Sequence, residues 1–166
     1  MTTKQVRVQR FSVTSSKSFE EVVARLETAV GHPNMNEFWR DVASAKTYAE
    51  LEQVIHKVIG ASGFMEFIRF DFGEIVRKER GDEAPQSLRL LIGNPLIMKQ
   101  MIEHAPDAGS YAPVTVLIDT RADGVHLSYD KMASLLAPYG SAAAMKVAQD
   151  LDSKVEALLT ATARRS

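Results

Sequence analysis

Apolar and polar positions along this chain alternate with a period of two in some stretches and near 3.6 in others, and the switches between the two periods lay out its elements. Val6, Val8 and Phe11, separated by Arg7, Gln9 and Arg10, predict a first strand whose imperfect alternation marks it as edge-like or bulged. Ser18 with Glu21 is a capping box; Phe19, Val22, Val23, Leu26 and Val30 follow at helical spacing, and Gly31 is placed to end the helix in a left-handed turn. Thr47 with Glu50 opens a second helix, striped by Leu51, Val54, Ile55, Val58 and Ile59 and closed by Gly60. Between them Met35, Phe38, Trp39 and Val42 share one helical face, which predicts a short helix inserted over about residues 31–47.

Phe64 to Val76 reads as one long strand, with Phe64, Ile68, Phe70, Phe72 and Val76 on one face and Met65, Phe67, Arg69, Asp71 and Arg77 on the other; Glu66 falls at its margin. Gly81-Asp82-Glu83-Ala84-Pro85 is turn chemistry, and Leu88–Ile92 is a short, nearly continuous apolar strand. Gly93-Asn94-Pro95 then delivers a helix over Leu96–His104. Val114–Thr120 and Val125–Tyr129 form a hairpin about Ala122-Asp123-Gly124. Asp130 is placed to cap a short helix carrying Met132, Leu135 and Leu136, which stops near Pro138 and Gly140. A last helix over about 141–163 sets Ala144, Ala148, Leu151, Val155, Leu158 and Thr162 at alternating steps of four and three; this seam packs on its own sheet or joins two subunits. The whole chain, 1–166, reads as one α+β domain.

Composition narrows the chemistry. A 45% hydrophobic, 25% charged chain is average for folded domains, and zero cysteines exclude disulfides, thiolate metal sites and thiol catalysis. A formal net charge of −1 supplies no field for nucleic acid or anionic lipid, and the terminal Arg164-Arg165 pair is too small for a nucleic-acid arm. No apolar run approaches a membrane span, and the first residues carry no apolar leader segment, so the expected location is cytoplasmic. Sequence fingerprints of serine hydrolases, P-loops and dinucleotide sites are absent, and His32, His56, His104 and His126 show no metal spacing, so neither cofactor nor metal is expected.

Three candidate sites remain. Gly93-Asn94-Pro95 is fully explained as a helix start, and its alternative is a small anion site at the helix N-terminus. Asp71, beside Arg69 on the strand and flanked by Phe70 and Phe72, is a candidate general acid or base, assisted by Arg69 or His126. Phe38 and Trp39, on the inserted helix, are core residues, a pocket lid or a subunit contact, and Leu151, Val155 and Leu158, on the last helix, are core residues or a subunit contact.

Several pieces, in order, resemble the domain-of-unknown-function 302 family: Phe11-Ser12-Val13, Ser18–Val22, Gly63-Phe64, Asp71, Gly93-Asn94-Pro95, Pro106 with Gly109, Ala112-Pro113-Val114, Gly124-Val125 and Asp130. The resemblance runs from the first strand to Asp130, omitting the inserted helix and the last one. It implies a two-layer fold, an antiparallel sheet backed by helices, similar to the TATA-binding-protein topology and usually homodimeric, with no established reaction. Gly93 and Val114 stand where this family typically has cysteines, so the resemblance carries no thiol, metal or haem role to this chain. The leading expectation is a homodimeric small-molecule-binding or interaction domain, with a pocket between sheet and helices near Gly93, Asn94, Asp71 and the hairpin. An enzyme built on Asp71 and a purely structural interaction module are the alternatives.

Overall fold

The computed structural model describes residues 1–81 and 84–164, so the turn predicted over Gly81–Pro85 and the Arg164-Arg165 pair lie partly outside the described residues. Its strands are β1 (Arg10–Ser15), β2 (Met65–Asp71), β3 (Ser87–Gly93), β4 (Val114–Arg121) and β5 (Gly124–Asp130), joined in the order β1-β5-β4-β3-β2 with every pair antiparallel. The helices are α1 (Phe19–Ala29), α2 (Met35–Ser44), α3 (Tyr48–His56), α4 (Phe72–Arg80), α5 (Pro95–Ile102), α6 (Met132–Leu136) and α7 (Ala142–Ala163).

Alternation along the strands divides the sheet into two unlike faces. Leu88, Leu90 and Ile92 of β3, Val114, Val116 and Ile118 of β4, and Val125, Leu127 and Tyr129 of β5 are buried on one face. Helices α1, α5 and α7 close over it, and α7 spends its predicted seam there: Ala144, Ala148, Leu151, Val155, Leu158 and Thr162 are all buried within the chain. Each large side chain so buried contributes about 1.5–3 kcal/mol, which makes this layer the main source of stability. A smaller core joins Phe38, Ile55 and Met65, flanked by Met35, Val42, Leu51, Val54, Phe67 and Leu96, and ties α2 and α3 to the start of β2. The result is a two-layer α+β arrangement.

Four local expectations are corrected. The first strand begins at Arg10 rather than Val6; it is an edge strand, and Gln9 turns its carbonyl to the N–H of Lys131 and its own N–H to Ser134. The long strand over Phe64–Val76 ends at Asp71, where the side chain accepts the N–H of Glu74 at 2.8 Å and starts α4. An N-cap aspartate with a glutamate three residues on outweighs the alternation that continues through Phe72 and Val76. Gly31 is not a left-handed stop, and Gly60, which follows the second helix, is not left-handed either. A Cβ on Gly31 would fall 1.8 Å from the Val58 carbonyl oxygen and one on Gly60 2.4 Å from that of Ala29, so glycine here lets two backbone segments touch.

The fourth correction concerns Asp130, which does not cap α6. It holds Arg10 at 2.6 Å across the β1–β5 pair, while α6 is capped from a distance by Asp152 of α7. That buried carboxylate accepts the N–H of Met132 (2.7 Å), the N–H of Ala133 (3.2 Å) and the Tyr129 hydroxyl (2.7 Å).

Candidate functional site

The face of the sheet turned away from the helix layer is built in transverse rows, because directly paired residues point to the same side. One row reads Phe70, Arg89, Leu117, Ser128, Ser12 from β2 to β1; the row beside it holds Ile68, Leu91 and Thr115, and the row on the other side holds Ser87, Asp119, His126 and Thr14. Helix α4 borders this face beside β3, where a Cβ on Gly73 would fall 2.8 Å from the Ser87 nitrogen.

Two hollows score this face. One, of about 360 Å³, lies among Arg10, Phe72, Arg89, Leu117, Ser128 and Asp130. The other, of about 340 Å³, lies among Arg89, Leu91, Tyr111, Pro113, Thr115 and Leu135. Arg89, Thr115 and Asp130 line both, so the hollows form one trough with Arg89 in its middle.

Arg89 is the unusual group in that trough. Its Nη2 donates to the Thr115 hydroxyl at a long 3.4 Å, and its guanidinium lies 5.9 Å from the centre of the Phe70 ring, near the outer limit for a cation–π contact. Its Nε is buried and has no protein acceptor, alone in this among the side-chain atoms of the described residues. An unmade hydrogen bond at a buried donor costs about 1–3 kcal/mol, and other cations nearby avoid that cost: Arg10 is held by Asp130 and Arg121 by Asp119 at 2.6 Å.

The residues singled out from sequence are not brought together. Asp71 pairs across the sheet with Leu88 and Gly93 with Met65, so Asp71 and Asn94 stand at opposite ends of β3, about 20 Å apart at about 3.4 Å per residue. Gly93-Asn94-Pro95 lines an apolar crevice of about 20 Å³, room for about one water. Asn94 is engaged at both ends of its amide: Oδ1 accepts the N–H of Leu96 and Nδ2 donates to the Gly63 carbonyl, each at 2.9 Å. Gly93 fits beneath Pro113, whose Cβ would lie 3.3 Å from an added Cβ.

Asp71 is an exposed cap that also faces Arg77 at 3.3 Å. Arg69 does not pair with it. A strand places residues three apart on opposite faces, but β2 carries a bulge between Glu66 and Ile68, and the extra residue, Phe67, restores Glu66 and Arg69 to one side. Arg69 accordingly forks onto Glu66 (3.0 and 2.8 Å) and reaches Glu27 of α1 at 2.6 Å, and these hydrogen bonds, that with Glu66 foremost, raise its pKa. The same bulge separates Ile68 and Phe70 from buried Phe64, with which the alternation had grouped them, and turns them onto the uncovered face, where they are exposed. Arg69 and Asp71 do line an open groove of about 620 Å³ beside α1, but their charges are already paired there.

His126 lies three strands from β2 on the uncovered face, hydrogen-bonded through Nε2 to Asp123 at 2.8 Å, and this bond holds the Asp123 carboxyl below its usual range. It is out of reach of Asp71. Of the residues expected at a subunit contact, Phe38, Leu151, Val155 and Leu158 are buried in the chain's own cores, which leaves Trp39, half exposed and packed edge-on against Phe38 at 4.9 Å. No group of three or more His, Asp or Glu side chains suited to a metal occurs among the described residues, nor any helix long and apolar enough to cross a membrane.

The residue that sequence reasoning passed over is Arg89. Its signal was present, a lone cation inside the run Leu88-Arg89-Leu90-Leu91-Ile92, which alternation sets opposite the core-facing Leu88, Leu90 and Ile92.

Comparison with known proteins places the fold. A family model described as Domain of unknown function DUF302 matches residues 40–162. The match begins inside α2, so the resemblances at Phe11–Val13 and Ser18–Val22 fall outside it, whereas the last helix falls within it up to Thr162. The crystal structure of an uncharacterized conserved DUF302 protein from Bacillus stearothermophilus is similar over 93% of this chain and 98% of that one, at 15% identity and a TM-score of 0.65. No curated protein matches the chain.

Proposed function

Because the chain belongs to the DUF302 family, whose description names no activity, its role has to be read from its own surface, and we propose that it is a non-catalytic domain that binds a small molecule on the uncovered face of its sheet. The supporting observation is the trough across β3, β4 and β5, concave, mixed in polarity and centred on a cation with an unused donor. Catalysis through Asp71 loses its support, since that carboxylate serves as a helix cap and as the ion-pair partner of Arg77. Blocking the trough tests the proposal. Leu117→Lys, at a half-buried position on the uncovered face, leaves the melting temperature within a few degrees of wild type and abolishes binding of fragments found by ligand-observed NMR. Undiminished binding would reject the reading.

A second reading, self-association, is favoured by one corner. Ile68, Phe70, Phe72 and Ile75 are exposed together where β2 ends the sheet, and past the bridge from Met65 to Gly31 no strand of the chain pairs the outer side of β2 among the described residues. Sedimentation equilibrium decides it: Ile75→Glu lowers the mass if two copies meet here, and an unchanged mass removes this contact.

A further inference from the structure

Resting on the reading of the uncovered face as a binding surface, we propose that Arg89 is the recognition residue of that site and that the ligand is a monocarboxylate carried on an apolar or aromatic body. The cation defines the head group. A guanidinium offers its donors in a planar fork that matches a carboxylate at two points, and Arg89 now uses one long contact to Thr115. Nε is covered in this arrangement, so the guanidinium turns away from Phe70 to present its Nε–Nη edge; at 5.9 Å the ring is a weak tether.

Local charge sets the valence. Of the two cations that line the trough among the described residues, Arg10 is neutralised by Asp130, and Arg89 has no carboxylate partner. That suits a single negative charge better than a phosphate dianion, and Thr115 and Ser128, which also line the trough, carry hydroxyls of the kind that donate to a carboxylate's remaining lone pairs. The body follows from the walls. Phe70 and Phe72 stack in parallel at 5.9 Å beside Arg89, and Leu91, Leu117 and Pro113 carry the apolar surface along the trough.

A position kept for ligand rather than for stability has a further consequence. Replacing Arg89 by leucine removes the unsatisfied donor from a site flanked by apolar side chains, so Arg89→Leu melts at or above the wild-type temperature. A drop of many degrees would make Arg89 a structural residue and overturn the proposal.

The binding experiment titrates the full chain by calorimetry and chemical-shift mapping with phenylacetate, its neutral counterpart 2-phenylethanol, phenyl phosphate and inorganic phosphate. Phenylacetate is expected to bind in the trough and to weaken about tenfold or more in Arg89→Gln, the scale of a lost charge-assisted pair, while 2-phenylethanol is unaffected by the substitution. Arg89→Lys, which keeps the charge and loses the fork, falls between. If 2-phenylethanol occupies the trough and phenylacetate does not, or if either phosphate binds more tightly than phenylacetate, the monocarboxylate assignment fails and the uncovered-face reading stands. If no probe shifts the trough resonances, the assignment and the reading fall together.

Discussion

Asp152 shows what one buried carboxylate does when three donors converge on it. Asp152→Ala would strand the hydroxyl proton of Tyr129 and the N–H of Ala133 and leave the N–H of Met132 only its 3.1 Å contact to the Tyr129 hydroxyl, with an expected loss of about 3 kcal/mol in urea unfolding. A loss below about 1 kcal/mol would show that water replaces the cap. Tyr129 couples this cluster to pH. Burial, then its bond to Asp152, raises the phenol's pKa, so the stability it contributes is complete below the ordinary tyrosine value of about 10 and is lost as pH climbs from there toward the folded value. Absorbance titration should find Tyr129 ionising only as the chain unfolds; ionisation in the native protein near pH 10 would contradict this. None of it was readable locally. Asp152 sits one residue past Leu151 in an apolar seam, and its partners lie at least 19 residues away along the chain. Arg89 was readable, by contrast, since one cation in an apolar strand is a local signal.

Elements that carry their own punctuation were legible. The Ser18–Glu21 box, the Asn94 cap with Pro95, and the heptad-like spacing of α7 each fix an element from contacts within a few residues, and each forms as expected. Where the sequence misled, two local rules competed: the alternation through Phe72 against the cap at Asp71, and the unseen bulge at Phe67, which reversed the facing of Ile68 and Phe70. Glycines were misread for a similar reason. Gly31 lies just beyond a helix end, where left-handed turns are common, but its role is the close approach to Val58. Gly31→Ala is therefore expected to cost more than about 2 kcal/mol, against less than about 1 kcal/mol for Gly93→Ala, whose added methyl would come no nearer than 3.3 Å to Pro113 and 3.5 Å to Phe67. Thermal melts of the two variants give the comparison, and equal costs would refute the backbone-contact account.

At the scale of the whole molecule, the fold spends its apolar residues on one side of a sheet and leaves the other side open. The helix layer takes the seam of α7 that sequence alone left divided between core and subunit contact, so that seam offers no surface for a partner. What remains outward is the trough around Arg89 and the corner at Ile68–Ile75, which adjoin each other through Phe70 and Phe72. The candidate site was less legible than the fold because it is assembled from four strands, and only the register of their pairing brings Arg10, Arg89, Thr115 and Ser128 to one place. The most direct measurement is a backbone chemical-shift map of the wild-type protein against a fragment library. The account predicts that shifts gather on Arg89, Leu91, Thr115, Leu117 and Ser128; shifts confined to Asp71, Asn94 or the groove beside α1 would contradict it.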